Sequence, residues 1–124
     1  IEAVAAKVVE SVAKATGGHL TICAVNIAHG GVRGPTISHW KAEDVQKLLA
    51  DAEALARSEG ATTVGVTEIV SREAAPAIIA YAEQNGYTHI VMGTGDKRGL
   101  QRLVLGSVAS EVATRAHCTV TIAR

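Results

Sequence analysis

Apolar residues recur along this chain with two periods, and the two periods alternate. Within residues 2–16 valine returns at every fourth position, which predicts an amphipathic helix. Residues 20–27 instead form a short, nearly unbroken apolar run, which is typical of a buried parallel strand. The same criteria predict, in order, a helix over 42–58, a strand over 62–70, a helix that continues to 84, a strand over 89–93, a helix from 106 or 107, and a strand over 118–123. Pro76 fits the first turn of the helix that continues to Gln84, and we expect Gly60 and Asn85-Gly86 to end the helices that precede them.

Alternation of helices and strands predicts an α/β fold, with three layers and a mostly parallel open sheet that has helices on both faces. We expect one domain over residues 1–124, with a loop over 28–39, where Gly30-Gly31 and Gly34-Pro35 fall. The pattern begins with a helix, whereas such a fold normally begins with a strand, so we expect that its leading strand is absent from this sequence.

Charge and aromatic content limit the partners. Lysine and arginine number 12 and aspartate and glutamate number 12, so the net charge is zero, which argues against nucleic-acid binding. One Trp, two Tyr and no Phe also argue against a base-stacking surface. No apolar run is long enough to span a bilayer, so we expect no membrane partner.

Cysteine and histidine usage predicts neither a disulfide framework nor a metal site. Cys23 and Cys118 lie far apart without a C-x-x-C motif, and we expect two buried thiols in a reducing, cytoplasmic compartment. The five histidines have no metal-ligand spacing on any one predicted element. We therefore expect no structural metal.

A glycine-rich basic loop follows the strand at 89–93 and leads into a helix. Glycines allow close approach to a phosphate, and a helix N-terminus offers unpaired N–H groups. The spacing does not match a P-loop, and it is one residue too long for the dinucleotide fingerprint. By spacing alone, glycines at such a place are more often turn-formers than phosphate ligands. The glycines and cations of this loop are Gly93, Gly95, Gly99, Lys97, Arg98 and Arg102.

Five segments together resemble the universal stress protein family of the UspA type, and the resemblance covers the whole chain. It implies a Rossmann-like fold of the adenine-nucleotide alpha hydrolase type, whose first strand is central in the order 3-2-1-4-5. Without that strand the centre of the sheet would have unpaired backbone groups, which are costly, so we expect a strand to fill the gap or the sheet to close differently. The segments are Ile90-Val-Met-Gly-Thr, Gly99-Leu-Gln-Arg-Leu-Val-Leu-Gly-Ser-Val108, Cys118-Thr-Val-Thr-Ile122, Leu20-Thr-Ile-Cys-Ala-Val25 and Ala80-Tyr-Ala-Glu-Gln-Asn-Gly86.

The resemblance also implies an adenine-nucleotide site. Nucleotide-binding members carry G-x-x-G, nine residues, and then G-[S/T]; Gly93 matches the first glycine and Gly106-Ser107 match the last pair, whereas Asp96 replaces the second glycine. ATP or AMP is the implied ligand, with Mg²⁺ accompanying ATP. The residues implicated by position are Gly93, Lys97, Gly106, Ser107 and Val108 at phosphate and ribose, Met92 just before the loop, and Val25 at the base.

Asp96 leaves three functions open. A regulatory nucleotide-binding domain requires the basic residues to offset a carboxylate that repels phosphate. A homodimeric scaffold without nucleotide is the alternative, since relatives often dimerise through their last strand, here residues 118–123. Slow ATP hydrolysis is the third, with Asp96 as a metal-binding carboxylate. No nucleophile–base pair is evident in the sequence, so we assign no catalytic residue and expect a weak ATPase at most.

Overall fold

The computed structural model describes residues 19–30, 36–38, 40–93 and 106–123. The alternation of strands and helices predicted from the sequence is confirmed within these ranges, and the helix predicted over 2–16 lies outside them. The elements are β1 (Leu20–Gly30), β2 (Thr36–Ser38), α1 (Ala42–Ser58), β3 (Val64–Ser71), α2 (Ala74–Gln84), β4 (His89–Gly93), α3 (Ser107–Arg115) and β5 (Thr119–Ala123).

The strands form two open sheets, in the orders β2-β1-β3 and β4-β5. β1 runs parallel to β3 from the pair Leu20↔Val64 to the pair Ile27↔Ser71. β4 runs parallel to β5 from His89↔Thr119 to Gly93↔Ala123. Parallel pairing confirms the α/β class. No described strand pairs with both sheets, and neither sheet closes, so neither expected way of filling the gap is seen in this part of the chain.

The loop predicted over 28–39 contains a short hairpin, and this part of the prediction is wrong. β1 continues to Gly30, and its last three residues pair antiparallel with β2, from Ala28↔Ser38 to Gly30↔Thr36. The glycines and the proline of this segment led to the prediction of a loop. Ladder hydrogen bonds between β1 and β2 nonetheless satisfy the backbone of both strands, which favours strand over loop.

Two glycines end helices as predicted. Gly60, after α1, has φ +103°, and Gly86, after α2, has φ +71°, a region that glycine adopts without a steric penalty. Near these ends, Ala61 N–H donates to the Ala56 carbonyl and Tyr87 N–H donates to the Ala82 carbonyl. α2 begins at Ala74, and Pro76 lies in its first turn, as predicted.

The core is built from small aliphatic side chains, since aromatic residues are scarce. Ala24 of β1 packs with Val45 and Leu49 of α1, and Ile22 packs against this cluster. Val45 and Val112 are fully buried. α2 packs on α3 and also contacts β1 and β3, so it connects the first sheet to the helix that precedes β5. Small side chains permit this close packing of helices on sheets.

In the described part of the chain, no helix combines the length and the apolar character that crossing a membrane requires.

Candidate functional site

The start of α3 lies where the sequence predicts it. Gly106 is the N-cap, in extended conformation with φ −61° and ψ 158°, and no side chain caps the helix. The first helical bond runs from Ser110 N–H to the Gly106 carbonyl, at 2.9 Å. The N–H groups of Ser107, Val108 and Ala109 come before that bond and have no acceptor within the helix. Together with the positive end of the helix dipole, they suit an anion.

Gly106, rather than the serine that follows it, occupies the N-cap of this helix. An N-cap residue lies outside the helix in extended conformation, and Gly106 occupies that position while Ser107 is the first helical residue. Ser107 is exposed. Its hydroxyl is therefore available on the surface of the first turn.

The other end of the glycine loop is the last residue of β4. Gly93 is exposed, Met92 before it is half-buried, and these two residues pair in register with Ala123 and Ile122. Ligands of open α/β sheets bind beyond the carboxyl ends of strands, and Gly93 lies at such an end. The structure thus places Gly93 and Gly106 at the two ends of the loop. Lys97, which belongs to the predicted site, and its loop neighbours Asp96, Arg98 and Arg102 lie outside the described residues.

Val25 lies on the first sheet, not on the sheet that carries Gly93. It is half-buried in the second half of β1. Leu20 N–H donates to the Thr63 carbonyl, and from the parallel register of β1 with β3 the peptide groups of Val25 point away from β3. A Val25–Gly93 site would therefore have one wall from each sheet.

Asn26 is the residue that sequence analysis missed. It is 2% exposed, the one buried polar or charged side chain among the described residues. Its amide donates to the Trp40 carbonyl at 3.0 Å and to Glu68 Oε2 at 2.9 Å, and its carbonyl accepts from Trp40 N–H at 2.9 Å. A single amide inside an apolar strand pattern was the sequence feature that could have revealed it.

The two thiols differ from the expectation that both are buried. Cys23 is exposed and Cys118 is half-buried, and both are free. Alternate residues of β1 face the core, where Ala24 and Asn26 lie, and Cys23 points to the opposite face. Partial desolvation of its thiolate nevertheless raises the pKa of Cys23 above the ordinary value.

The histidines with described contacts bind neighbouring side chains. His89 Nε2 lies 2.7 Å from Thr121 Oγ1, and His117 Nε2 lies 3.6 Å from Glu83 Oε1. No group of three or more metal-ligating side chains occurs within residues 19–30, 36–38, 40–93 and 106–123.

A cavity of about 90 Å³ lies at the other end of β4 from Gly93. Ile79, Tyr87, Ile90 and Cys118 are among its lining residues. Liquid water occupies about 30 Å³ per molecule, so this space suits a few waters and is too small for a nucleotide.

Comparisons with known proteins agree with this architecture. The sequence model of the universal stress protein family matches residues 2–124. Universal stress protein MJ0531 of Methanocaldococcus jannaschii is 36% identical over 88 residues, which are 71% of this chain and 51% of that protein. The chain therefore spans about half the length of this curated relative.

Solved structures with the same fold include two from Archaeoglobus fulgidus. A universal stress protein from that organism has a TM-score of 0.76 at 23% identity, covering 99% of this chain and 89% of that one. The universal stress protein from the same organism in complex with dAMP has a TM-score of 0.72 at 22% identity, covering 99% of this chain and 87% of that one. A universal stress protein in complex with cAMP has a TM-score of 0.71 at 22% identity, covering 97% of this chain and 84% of that one. With its family match over nearly the whole sequence, the chain belongs to the universal stress protein family.

Proposed function

We propose that this chain binds an adenine nucleotide, ATP or AMP, at the segment from Gly93 to Val108, and that it does so as a regulatory domain of a cytoplasmic protein. The observation that carries the proposal is the N-terminus of α3, where Gly106 leaves the first turn without a side-chain cap. Support comes from solved relatives of the same fold that hold dAMP and cAMP.

The proposed contacts follow from the chemistry of each residue. Phosphate oxygens accept from the N–H groups of Ser107 and Val108 and from the Ser107 hydroxyl. Gly93 permits close backbone approach, and Lys97 supplies a cation. The base lies against the half-buried side chains of Val25 and Met92, since an apolar wall suits a purine ring.

The role of Asp96 decides how strong this binding is. Its carboxylate stands at the second glycine position of the motif, where it repels phosphate unless a cation intervenes. Mg²⁺ arriving with ATP is one such cation, and in that case the carboxylate would support slow hydrolysis at most. A site that Asp96 has disabled would leave the second candidate function, a homodimeric scaffold.

Homodimerisation through residues 118–123 is part of both proposals. Thr119 N–H donates to the Thr88 carbonyl, and from the register of β4 with β5 the peptide groups of Val120 and Ile122 point away from β4. A second copy of β5 could pair with these groups across a two-fold axis.

Thermal unfolding with and without nucleotide tests the proposal. A ligand at about 100 times its Kd stabilises by about 2.7 kcal/mol, which raises the Tm of a domain of this size by several degrees. We expect such a rise with ATP or AMP, and nucleotide released from the purified protein on denaturation, identified by mass spectrometry. No shift at millimolar ATP and AMP, with or without Mg²⁺, would reject nucleotide binding and favour the scaffold.

A further inference from the structure

The side chain of Asn26 joins three elements. Its amide and carbonyl pair with both backbone groups of Trp40, as one residue of a strand pairs with another, and its second N–H reaches Glu68 on β3. Trp40 precedes Lys41, the N-cap of α1. One buried side chain therefore connects β1, β3 and the start of α1.

Packing alone does not require an amide at this position. The neighbours on the same face of β1 are Ala24 and Ala28, and Ala24 belongs to an apolar cluster with Val45. An aliphatic side chain would avoid the desolvation of a polar group. The amide contributes orientation. Its hydrogen bonds to the backbone of Trp40 fix the position of the chain at the start of α1 relative to β1.

The bonds to Trp40 close the base of the β1–β2 hairpin. That hairpin extends from the carboxyl end of β1, with Ala28 to Gly30 paired to β2 on the side of β1 away from β3. Val25, the proposed base contact, immediately precedes Asn26 on the same strand. Crevices at this end of a parallel sheet are where ligands of α/β folds bind.

We propose that Asn26 is a positioning residue of the nucleotide site. Its side chain holds the hairpin and the start of α1 in a fixed relation to Val25, so that the wall on the first sheet is formed before the ligand arrives. This inference rests on the proposed function, because it assigns a residue to the site where a nucleotide binds. Asn26 is 2% exposed and its side chain is bonded to Trp40 and Glu68, so we assign it no direct contact with the ligand.

The opposite end of α1 provides a matched control. Arg57 donates to the carbonyls of Thr62 and Val64, at 3.2 and 3.4 Å, and thus connects the last turn of the helix to the amino end of β3. Arg57→Gln weakens a connection between the same helix and the same sheet, but at the end away from Val25. This control variant distinguishes a general weakening of the contacts between α1 and the sheet from a loss of the fixed position of the hairpin and the start of α1 near Val25.

The experiment compares native protein, Asn26→Leu and Arg57→Gln. Calorimetry gives the Kd for AMP and ATP, thermal unfolding gives the Tm, and NMR hydrogen exchange follows the Trp40 amide. We expect Asn26→Leu to raise the Kd about tenfold, within the usual range of coupling between sites, and Arg57→Gln to change it by less than about twofold. Trp40 amide exchange should become faster in Asn26→Leu, and AMP should slow it in the native protein.

Asn26→Ser is the second variant in case Asn26→Leu does not fold. Its hydroxyl is uncharged and too short to bridge Trp40 and Glu68, so we again expect a rise in Kd. The inference is overturned if the native protein binds nucleotide and the Asn26 variants bind it equally well, or if Arg57→Gln weakens binding as much. Failure of the native protein to bind any adenine nucleotide would overturn the proposed function and this inference with it.

Discussion

The hydroxyl of Tyr87 is hydrogen-bonded to the hydroxyl of Thr21, and this bond joins the chain just before β4 to β1 of the other sheet. The Tyr87 ring also stacks on Tyr81 of α2, with centroids 6.0 Å apart and an interplanar angle of 21°. The contact runs from β1 through Tyr87 to α2. It is a direct side-chain connection between the two sheets.

Removing the Tyr87 hydroxyl should therefore lower stability without disturbing the ring stack. Tyr87→Phe should reduce the free energy of unfolding by about 1 kcal/mol, the usual net value of one such bond. Urea denaturation of Tyr87→Phe, Thr21→Val and the double variant measures the coupling, and Tyr81→Phe is the control. Additive effects of the two substitutions would show that the bond contributes nothing.

Val120→Lys should convert a dimer to a monomer. The peptide groups of Val120 point to the free edge of β5 among the described strands, and a lysine there opposes pairing with a second copy. Light scattering gives the mass, and circular dichroism checks that the fold is retained. Val66→Lys is the matched control, because Val66 is an exposed valine at the edge of β3. A dimer that survives Val120→Lys but not Val66→Lys would place the interface on β3.

Asp96→Gly should tighten nucleotide binding. It restores the second glycine of the family motif and removes a carboxylate from the phosphate loop. The Kd for ATP, measured with and without Mg²⁺, should fall, whereas Asp51→Gly on the exposed side of α1 should leave it unchanged. If affinity stays the same and a slow ATP turnover disappears, Asp96 acts as a metal ligand instead.

Alkylation of Cys23 should need a higher pH in the folded protein than in the unfolded chain. Desolvation raises the pKa of its thiol, so less thiolate is present at neutral pH. In a Cys118→Ser background, the midpoint of iodoacetamide rate against pH should lie higher without urea than with it. The contribution of this thiol to stability is therefore fully present below its pKa in the unfolded chain, and it is lost as the pH rises through its higher pKa in the folded protein. An equal or lower midpoint in the folded state would contradict this.

Sequence periodicity was sufficient to predict most of the described elements. The apolar stripe of α1, the short apolar runs of β1 and β4, and the glycines at 60 and 86 each act through local geometry, so their prediction needed no partner strand. The position of the helix start at Gly106 also followed from the sequence. Each of these features depends on residues only a few positions apart.

Long-range pairing decided the rest. Which backbone groups and faces meet in the folded chain determines the β1–β2 hairpin and the exposure of Cys23. Asn26 is the clearest case. Its neighbours in sequence predict an apolar strand residue, but its partners, Trp40 and Glu68, lie 14 and 42 positions away. The sequence determined which segments become strands and helices, because periodicity is local. Only the tertiary structure decided which polar groups are buried and satisfied, because their hydrogen-bond partners come from distant segments.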